Sequence, residues 1–220
     1  MVAGGSSSRM GGYDKLFHPL AGKTALAWVI DVFQNCPLVQ LIVLVLSREN
    51  MSRGEEMIAR AGWSKVYRPV PGGPRRQDSV WEGLKNLHGC DIAVIHDGAR
   101  PCITADLIER GVAEALTSGA AIAAVPLTDT IKRINAENEV EHTVEREGLW
   151  VVQTPQVYKI DIIKNAFRKI KRDVTDEANL VELSGHKVKV FPGSNRNIKI
   201  TSREDLAIAE AILQQQHNSF

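Results

Sequence analysis

Apolar residues fall along this chain in short unbroken runs, separated by stretches of helical spacing. The runs Leu41–Leu46, Ile92–Ile95 and Ala121–Val125 have strand length and no polar alternation. That is the pattern of parallel strands covered on both faces. Between them the spacing predicts helices over about 24–35, 51–61, 78–87 and 104–117. Thr24 and Thr104 stand where N-caps belong, and Asp106 suits a first turn. Strand–helix alternation builds βαβ units, so the predicted fold class is α/β, a doubly wound and mostly parallel sheet. Ligands of such sheets sit outside the carboxyl ends of the strands. The loops after Ala3, Pro69 and Ile95 therefore share one rim.

The pattern breaks after Pro126. Thr130–Ile134 alternates, Asn135–Glu139 is a polar turn, and His142–Arg146 returns, which predicts a β-hairpin arm at about 129–148. A lone hairpin is barely stable in water. An arm packed on a second subunit resolves this and predicts a homodimer; the alternative is a hairpin folded back on its own domain. Further on, the pattern predicts a strand near Leu149–Val152 and a helix at about 160–171. A helix starts near Thr175, with a cap-like threonine and Glu177 in its first turn. Strands follow at Lys187–Phe191 and Asn197–Ile200, then a final helix from Ser202 and a fraying tail over Gln214–Phe220. No repeat or linker interrupts residues 1–220, which read as a single domain.

Composition changes this picture little. The chain has 220 residues, 44% hydrophobic and 24% charged, with a formal charge of +1. Neither nucleic acid nor a membrane surface is favoured as a partner. Cys36, Cys90 and Cys102 form no C-x-x-C pair, which fits reduced thiols and a cytoplasmic location. No apolar run is long enough to span a bilayer. Only Met1–Ala3 precedes the glycine-rich turn, so either the first strand is unusually short or the sequence starts inside it.

That turn is the chief chemical signal. Met1 to Lys15 holds small residues between Ala3 and Ser8, with the cations Arg9 and Lys15 beside them. Glycine lets backbone approach a ligand closely, and consecutive N–H groups form an anion-binding concavity. The bland alternative is a disordered Gly/Ser terminus. Ser6 to Ser8 exclude a G-x-G-x-x-G fingerprint, and Phe17 stands where a P-loop ending in Gly22-Lys23-Thr24 needs its first glycine. Pro71–Ser79 is a turn opening a helix, able to read a base edge or a phosphate, or simply a surface turn. His96–Pro101 follows a buried strand, where a charge is costly unless satisfied. There Asp97 suits a hydroxyl or a magnesium ion, or an internal pair with Arg100. Asp129–Arg133 and Arg146 lie at the foot of the arm, and Lys199 lies on a short strand, where a lone lysine is more often exposed than catalytic. The six histidines form no close ligand pair, and no G-x-S-x-G is present.

The loop ending in Ser8-Arg9-Met10-Gly11 with Lys15 resembles that of the sugar-nucleotide cytidylyltransferases. Downstream come His96–Pro101, Asp129–Arg133, Thr154-Pro-Gln156, Thr175–Ala178 and Asn197–Thr201. In order and spacing these resemble the 2-C-methyl-D-erythritol 4-phosphate cytidylyltransferases of the non-mevalonate isoprenoid pathway, nearly end to end. The resemblance implies a Rossmann-like sheet, a dimer-forming arm, CTP, a phosphorylated polyol, and Mg2+ carried mainly by the CTP phosphates. It implies that Arg9 and Lys15 stabilise charge on the α-phosphate, and that Arg146 of a partner subunit and Lys199 hold the substrate phosphate. By the same resemblance Thr130 faces the partner's site, Asp97 and Arg100 contact substrate or ribose, and Thr154 belongs to the substrate-binding set. Ala3, Gly4, Gly73 and Ser79 read cytosine and ribose. One departure stands out: the family carries Pro before the loop lysine and Gln after it, where this chain has Asp14 and Leu16. Asp14 adds negative charge beside a triphosphate site. The loop is also similar to that of the molybdenum-cofactor guanylyltransferases, whose pattern the downstream motifs do not follow. A ribitol 5-phosphate cytidylyltransferase, or a nucleotide-binding protein without catalytic activity, would carry much the same loop.

Overall fold

The structure, a computed structural model, describes residues 1–4 and 14–217. Its elements run β1 (Val2–Ala3), β2 (Pro19–Leu20), β3 (Lys23–Thr24), α1 (Ala25–Asn35), β4 (Val45–Leu46), α2 (Met51–Ala61), β5 (Val70–Pro71), α3 (Arg76–Lys85) and β6 (Ile92–Ile95). They continue with α4 (Ala105–Ser118), β7 (Ala120–Pro126), β8 (Ile131–Ile134), β9 (Val140–Val144), β10 (Trp150–Lys159), α5 (Ile160–Lys169), α6 (Glu177–Leu183), β11 (Lys189–Pro192) and α7 (Arg203–His217).

Two half-sheets, β5-β4-β1 and β6-β10-β7-β11, meet at one seam. Val2 bridges Asp97 in parallel: its N–H donates to the His96 carbonyl at 2.8 Å, and its own carbonyl accepts from Gly98 at 2.9 Å. The pairs β1–β4, β4–β5 and β7–β11 are parallel, while β10 runs antiparallel to both neighbours. This reversal follows from connectivity. β7 leaves the sheet at Pro126, makes the arm, and returns as β10 opposite itself, with Trp150 paired to Pro126. Pleating sends alternate residues of β7 to opposite faces. Ala121 and Ala123 pack towards α1 and α4, while Ala120 and Ile122 pack towards α3, α5 and α6. A third cluster seats α7 against Leu20, Trp28 and Ile200.

Thr24 caps α1, its hydroxyl accepting from Ala27 at 3.1 Å, and Thr104 caps α4 through Leu107. The hairpin arm forms as expected from β8 and β9. Other boundaries differ. Of Leu41–Leu46, the last two residues form a strand, with Ile42 adding a bridge to Val66. The strand near Leu149–Val152 is the start of the ten-residue β10. The helix expected from Thr175 starts at Glu177, because Asp176 takes the cap by accepting from Asn179. Asn197–Ile200 forms no strand; the Ile200 N–H goes instead to the Ala99 carbonyl at 2.8 Å. Gln214 to His217 belong to α7 rather than to a frayed tail, and 218–220 lie outside the described residues.

Candidate active site at the strand ends

The expected rim exists. Ala3 ends β1 in the core, and Gly4 follows it. Across from it, the turn after β5 lies on the first turn of α3, where the Gly73 N–H donates to the Ser79 hydroxyl at 3.2 Å. A Cβ on Gly72 would come within 2.7 Å of that hydroxyl oxygen, and one on Gly4 within 3.4 Å. Glycine at 72 is thus a requirement of close approach. Ala3, Gly4, Gly73 and Ser79, far apart in the sequence, are brought together. Arg9, with the rest of 5–13, lies outside the described residues. Lys15 is described: its ammonium donates to the Ile200 carbonyl at 2.9 Å, beside Lys199 in the chain.

Asp14 turns to α2. Its carboxylate accepts from the Asn50 amide at 2.8 Å and pairs with Arg53 at 3.3 Å, while the other oxygen accepts from Leu16 N–H at 3.1 Å. The charge that departs from the family pattern has its own counter-ion.

The centre of the rim is a cluster of charges. Asp97, just past β6, is buried. Its Oδ2 accepts from Lys199 Nζ at 2.6 Å. Its Oδ1 accepts from Arg76 Nε and Nη2 at 3.2 and 3.0 Å. Arg76 Nη1 also donates to both oxygens of the buried Glu177, at 2.7 Å each. Burial pushes the Asp97 carboxyl up, but Arg76 and then Lys199 overcome it and hold it well below the usual carboxylate range. Burial raises Glu177, with Arg76 opposing. Asp97 is therefore not paired with Arg100. That guanidinium reaches the Asn197 carbonyl at 2.7 Å, and its burial lowers its pKa.

Sequence spacing offers no role for Arg76, and it marks Glu177 only as a helix start. A usable signal is present. Glu177 stands three and four residues before Leu180 and Val181, on the buried stripe of α6. An acid on that stripe requires a buried cation.

Behind the cluster, Thr154 of β10 joins two polar groups. Its hydroxyl accepts from the Asp97 N–H at 3.1 Å, so its own proton goes to His96 Nδ1 at 3.1 Å. His96 Nε2 then donates to the Arg100 carbonyl at 3.3 Å. Burial lowers the His96 pKa to about 3, which fits this neutral tautomer. Asn197 donates to the Thr154 carbonyl at 2.7 Å, and its own buried Oδ1 has no hydrogen bond among the described residues.

Thr130 and Arg146 are on the arm, and among the described residues neither hydrogen-bonds to the cluster. The Arg146 guanidinium donates to the Thr128 carbonyl at the arm's foot. Ile131, Ile134, Val140 and Leu149 to Val152 are exposed along the arm and the start of β10. Among the described residues no group of three or more His, Cys, Asp or Glu side chains is placed to hold a metal, and no helix is long and apolar enough to cross a membrane.

The chain as a whole is similar to known proteins. The family model described as 2-C-methyl-D-erythritol 4-phosphate cytidylyltransferase matches residues 1–215. A protein of that name from Dehalococcoides mccartyi is 47% identical over 213 residues, 97% of this chain and 94% of that protein. Another from Alkaliphilus oremlandii is 43% identical over 219 residues, 97% of this chain and 93% of its own length. Among solved structures, 4-diphosphocytidyl-2C-methyl-D-erythritol synthase from Anaerococcus prevotii is similar with a TM-score of 0.84 at 29% identity, covering 97% of this chain and 93% of that one. The Thermus thermophilus cytidylyltransferase has a TM-score of 0.78 at 26% identity, covering 97% of each chain.

Proposed function

The chain belongs to the 2-C-methyl-D-erythritol 4-phosphate cytidylyltransferase family, and from that premise we propose how its residues perform the family's reaction. It is a nucleotidyltransferase that joins CTP to 2-C-methyl-D-erythritol 4-phosphate, in non-mevalonate isoprenoid precursor synthesis. A phosphate oxygen of the polyol forms a bond to the α-phosphorus of CTP. The bond from that phosphorus to the bridging oxygen breaks, and pyrophosphate leaves. The protein forms no covalent intermediate, so its work is positioning and charge neutralisation.

The observation that carries this reading is the convergence of Gly4, Gly73 and Ser79 with Asp97, Lys199 and Lys15 along one rim. The glycines and Ser79 take cytosine and ribose, with Ala3 beneath them. Lys15, together with Arg9, meets the charge that grows on the α-phosphate. Lys199 takes the polyol phosphate, and Asp97 with Arg100 and Thr154 borders the polyol or ribose. Mg2+ would be carried mainly by the triphosphate rather than by protein carboxylates and, when bound, would neutralise phosphate charge.

The domain works as a homodimer through its arm. Exposed apolar side chains on a two-stranded ribbon are the mark of a contact surface. Docked on a second copy, the ribbon brings Arg146 and Thr130 to the partner's polyol phosphate. A cytoplasmic location fits the free thiols Cys36, Cys90 and Cys102.

The test is pyrophosphate release with Mg2+ and CTP, run with methylerythritol 4-phosphate and ribitol 5-phosphate in parallel, and with GTP in place of CTP. Release with CTP and methylerythritol phosphate alone is expected. Release with ribitol phosphate instead keeps the chemistry and moves the pathway. CTP binding with no release from either polyol refutes the catalytic reading.

A further inference from the structure

Asp97 is gripped from two sides. Lys199 holds one oxygen at 2.6 Å, and Arg76 holds the other at 3.0 and 3.2 Å. Arg76 is itself pinned by both oxygens of Glu177. Glu177 owes its place to a chain of contacts from the sheet. The Tyr158 hydroxyl donates to Gln156 at 2.7 Å, Gln156 donates to Asp176 at 2.8 Å, and Asp176 caps α6, which starts with Glu177. The cluster thus contains two cations and two anions that balance.

Its members are not equally tied. Exposure does not separate the two cations, Lys199 being 38% and Arg76 31% exposed, against 9% for Asp97 and 1% for Glu177. Lys199 has a single bond to the cluster, where Arg76 has four. With one bond to break against four, Lys199 is the cation that a phosphate could more easily draw away from Asp97. That exchange is cheap only if Asp97 keeps a second counter-ion, because an uncompensated buried carboxylate is strongly unfavourable.

We infer that Arg76, braced by Glu177, is a positioning residue of the reaction: it holds Asp97 in place so that Lys199 can exchange from Asp97 to the phosphate of the incoming polyol. This rests on the reading of Lys199 as a phosphate ligand. A lysine at position 76 could not do the same work, since two carboxylates are bridged by different edges of one rigid guanidinium. The competing account makes Arg76–Glu177 a simple tie between α3 and α6.

The double variant R76M/E177M separates the two. It removes both charges of the brace together and fills their place with apolar side chains, a change that folded proteins tolerate well. A folded protein is expected, melting several degrees below wild type because Asp97 keeps Lys199 as its counter-ion but loses Arg76. In pyrophosphate-release assays, KM for methylerythritol phosphate should rise at least about tenfold, the worth of one charge-assisted contact. KM for CTP should move less than about threefold on the same scale. Wild-type constants in a cooperatively folded double variant would overturn the inference, and so would an equal rise in both KM values. If the double variant does not fold, R76K decides: a selective rise in KM for the polyol phosphate supports the brace, and an unchanged KM overturns it. If wild-type protein releases no pyrophosphate, the functional reading fails by itself. Inorganic phosphate binding, followed through the Lys199 Nζ NMR signal, then decides the brace. Affinity at least about tenfold weaker in the double variant supports it, and equal affinity overturns it.

Discussion

Replacing Asp97 by Asn tests whether the centre of the site is held by an ionised, buried carboxylate. The substitution keeps the shape and one acceptor, but takes the negative charge from between Arg76 and Lys199. Arg76 retains Glu177, and Lys199 is open enough for water to replace its partner. The loss therefore centres on the Arg76–Asp97 contact, and sits at the lower end for a broken buried pair, about 3 kcal/mol. With a urea m-value of about 3 kcal/mol/M for a chain of this size, the unfolding midpoint should fall by about 1 M at pH 7. The pH dependence follows from the direction of the shift. The folded-state pKa of Asp97 is lowered, so its stabilisation is fully present above the unfolded value of about 3.9 and is lost as pH falls through the folded value. The gap between wild type and variant should stay constant from pH 7 to 5 and then narrow, by about 1 kcal/mol at pH 3. Beside the effect of burial, the Asp97 charge raises the pKa of His96 and of Glu177, so both titrate lower in the variant and contribute to the pH dependence of the gap. Urea melts of both proteins at pH 7, 5 and 3 measure it. A gap that is the same at pH 7 and pH 3, or one below about 1 kcal/mol at pH 7, would refute the argument.

Three further outcomes are expected. Lys15→Ala should lower kcat by about 10²–10³, as loss of a transition-state charge donor does; full turnover in steady-state assays would remove Lys15 from the machinery. Placing charge in the exposed apolar face of the arm, with Ile134→Asp and Val140→Asp, should give a folded monomer by analytical ultracentrifugation, and turnover should fall with loss of the partner's Arg146. A dimer that persists with full activity would exclude the arm as the contact. Thr154→Val leaves both His96 Nδ1 and the Asp97 N–H without a partner. It should cost about 2–4 kcal/mol in chemical denaturation, whereas a change under about 1 kcal/mol would mean the hydroxyl is not their link.

Legibility varies along the chain for physical reasons. Thr24 and Thr104 are readable because a helix cap is a local device, set by residues three apart. The arm is readable because two short β-forming runs about a polar turn have few other solutions. β10 reads short from sequence, since Thr154-Pro155 looks like a strand end. In the sheet the register merely shifts between Val152 and Gln156 and the strand continues. Asn197–Ile200 looks like a strand because extended apolar residues resemble one whether or not a partner lies alongside. At the site, Lys15 and Asp97 stand out by residue type and position, whereas Lys199 and Ser79 are marked only by the family resemblance. The pairing of Arg76 with Glu177 does not stand out, because it joins residues 101 apart in sequence and depends on how α3 and α6 pack. The pairing of Asp97 with its near neighbour Arg100 does not form for the same reason: the real partners come from other elements.

The seam at Val2 and Asp97 also divides the chain by sequence. β1, β4 and β5 all come from residues up to Pro71, and β6, β7, β10 and β11 all come from Ile92 onwards. Each half-sheet is thus a contiguous stretch able to pair its own strands before the two dock. Gly4 and Ser79 belong to one side of that division, and Asp97, Glu177 and Lys199 to the other. The contacts proposed for CTP lie on the first side and those for the polyol on the second, so the reacting pair is assembled only by the join. A ligand touching both sides adds its binding energy to the docking step by mass action. A chain cut in the 86–91 turn would therefore yield fragments that release no pyrophosphate until they reassemble.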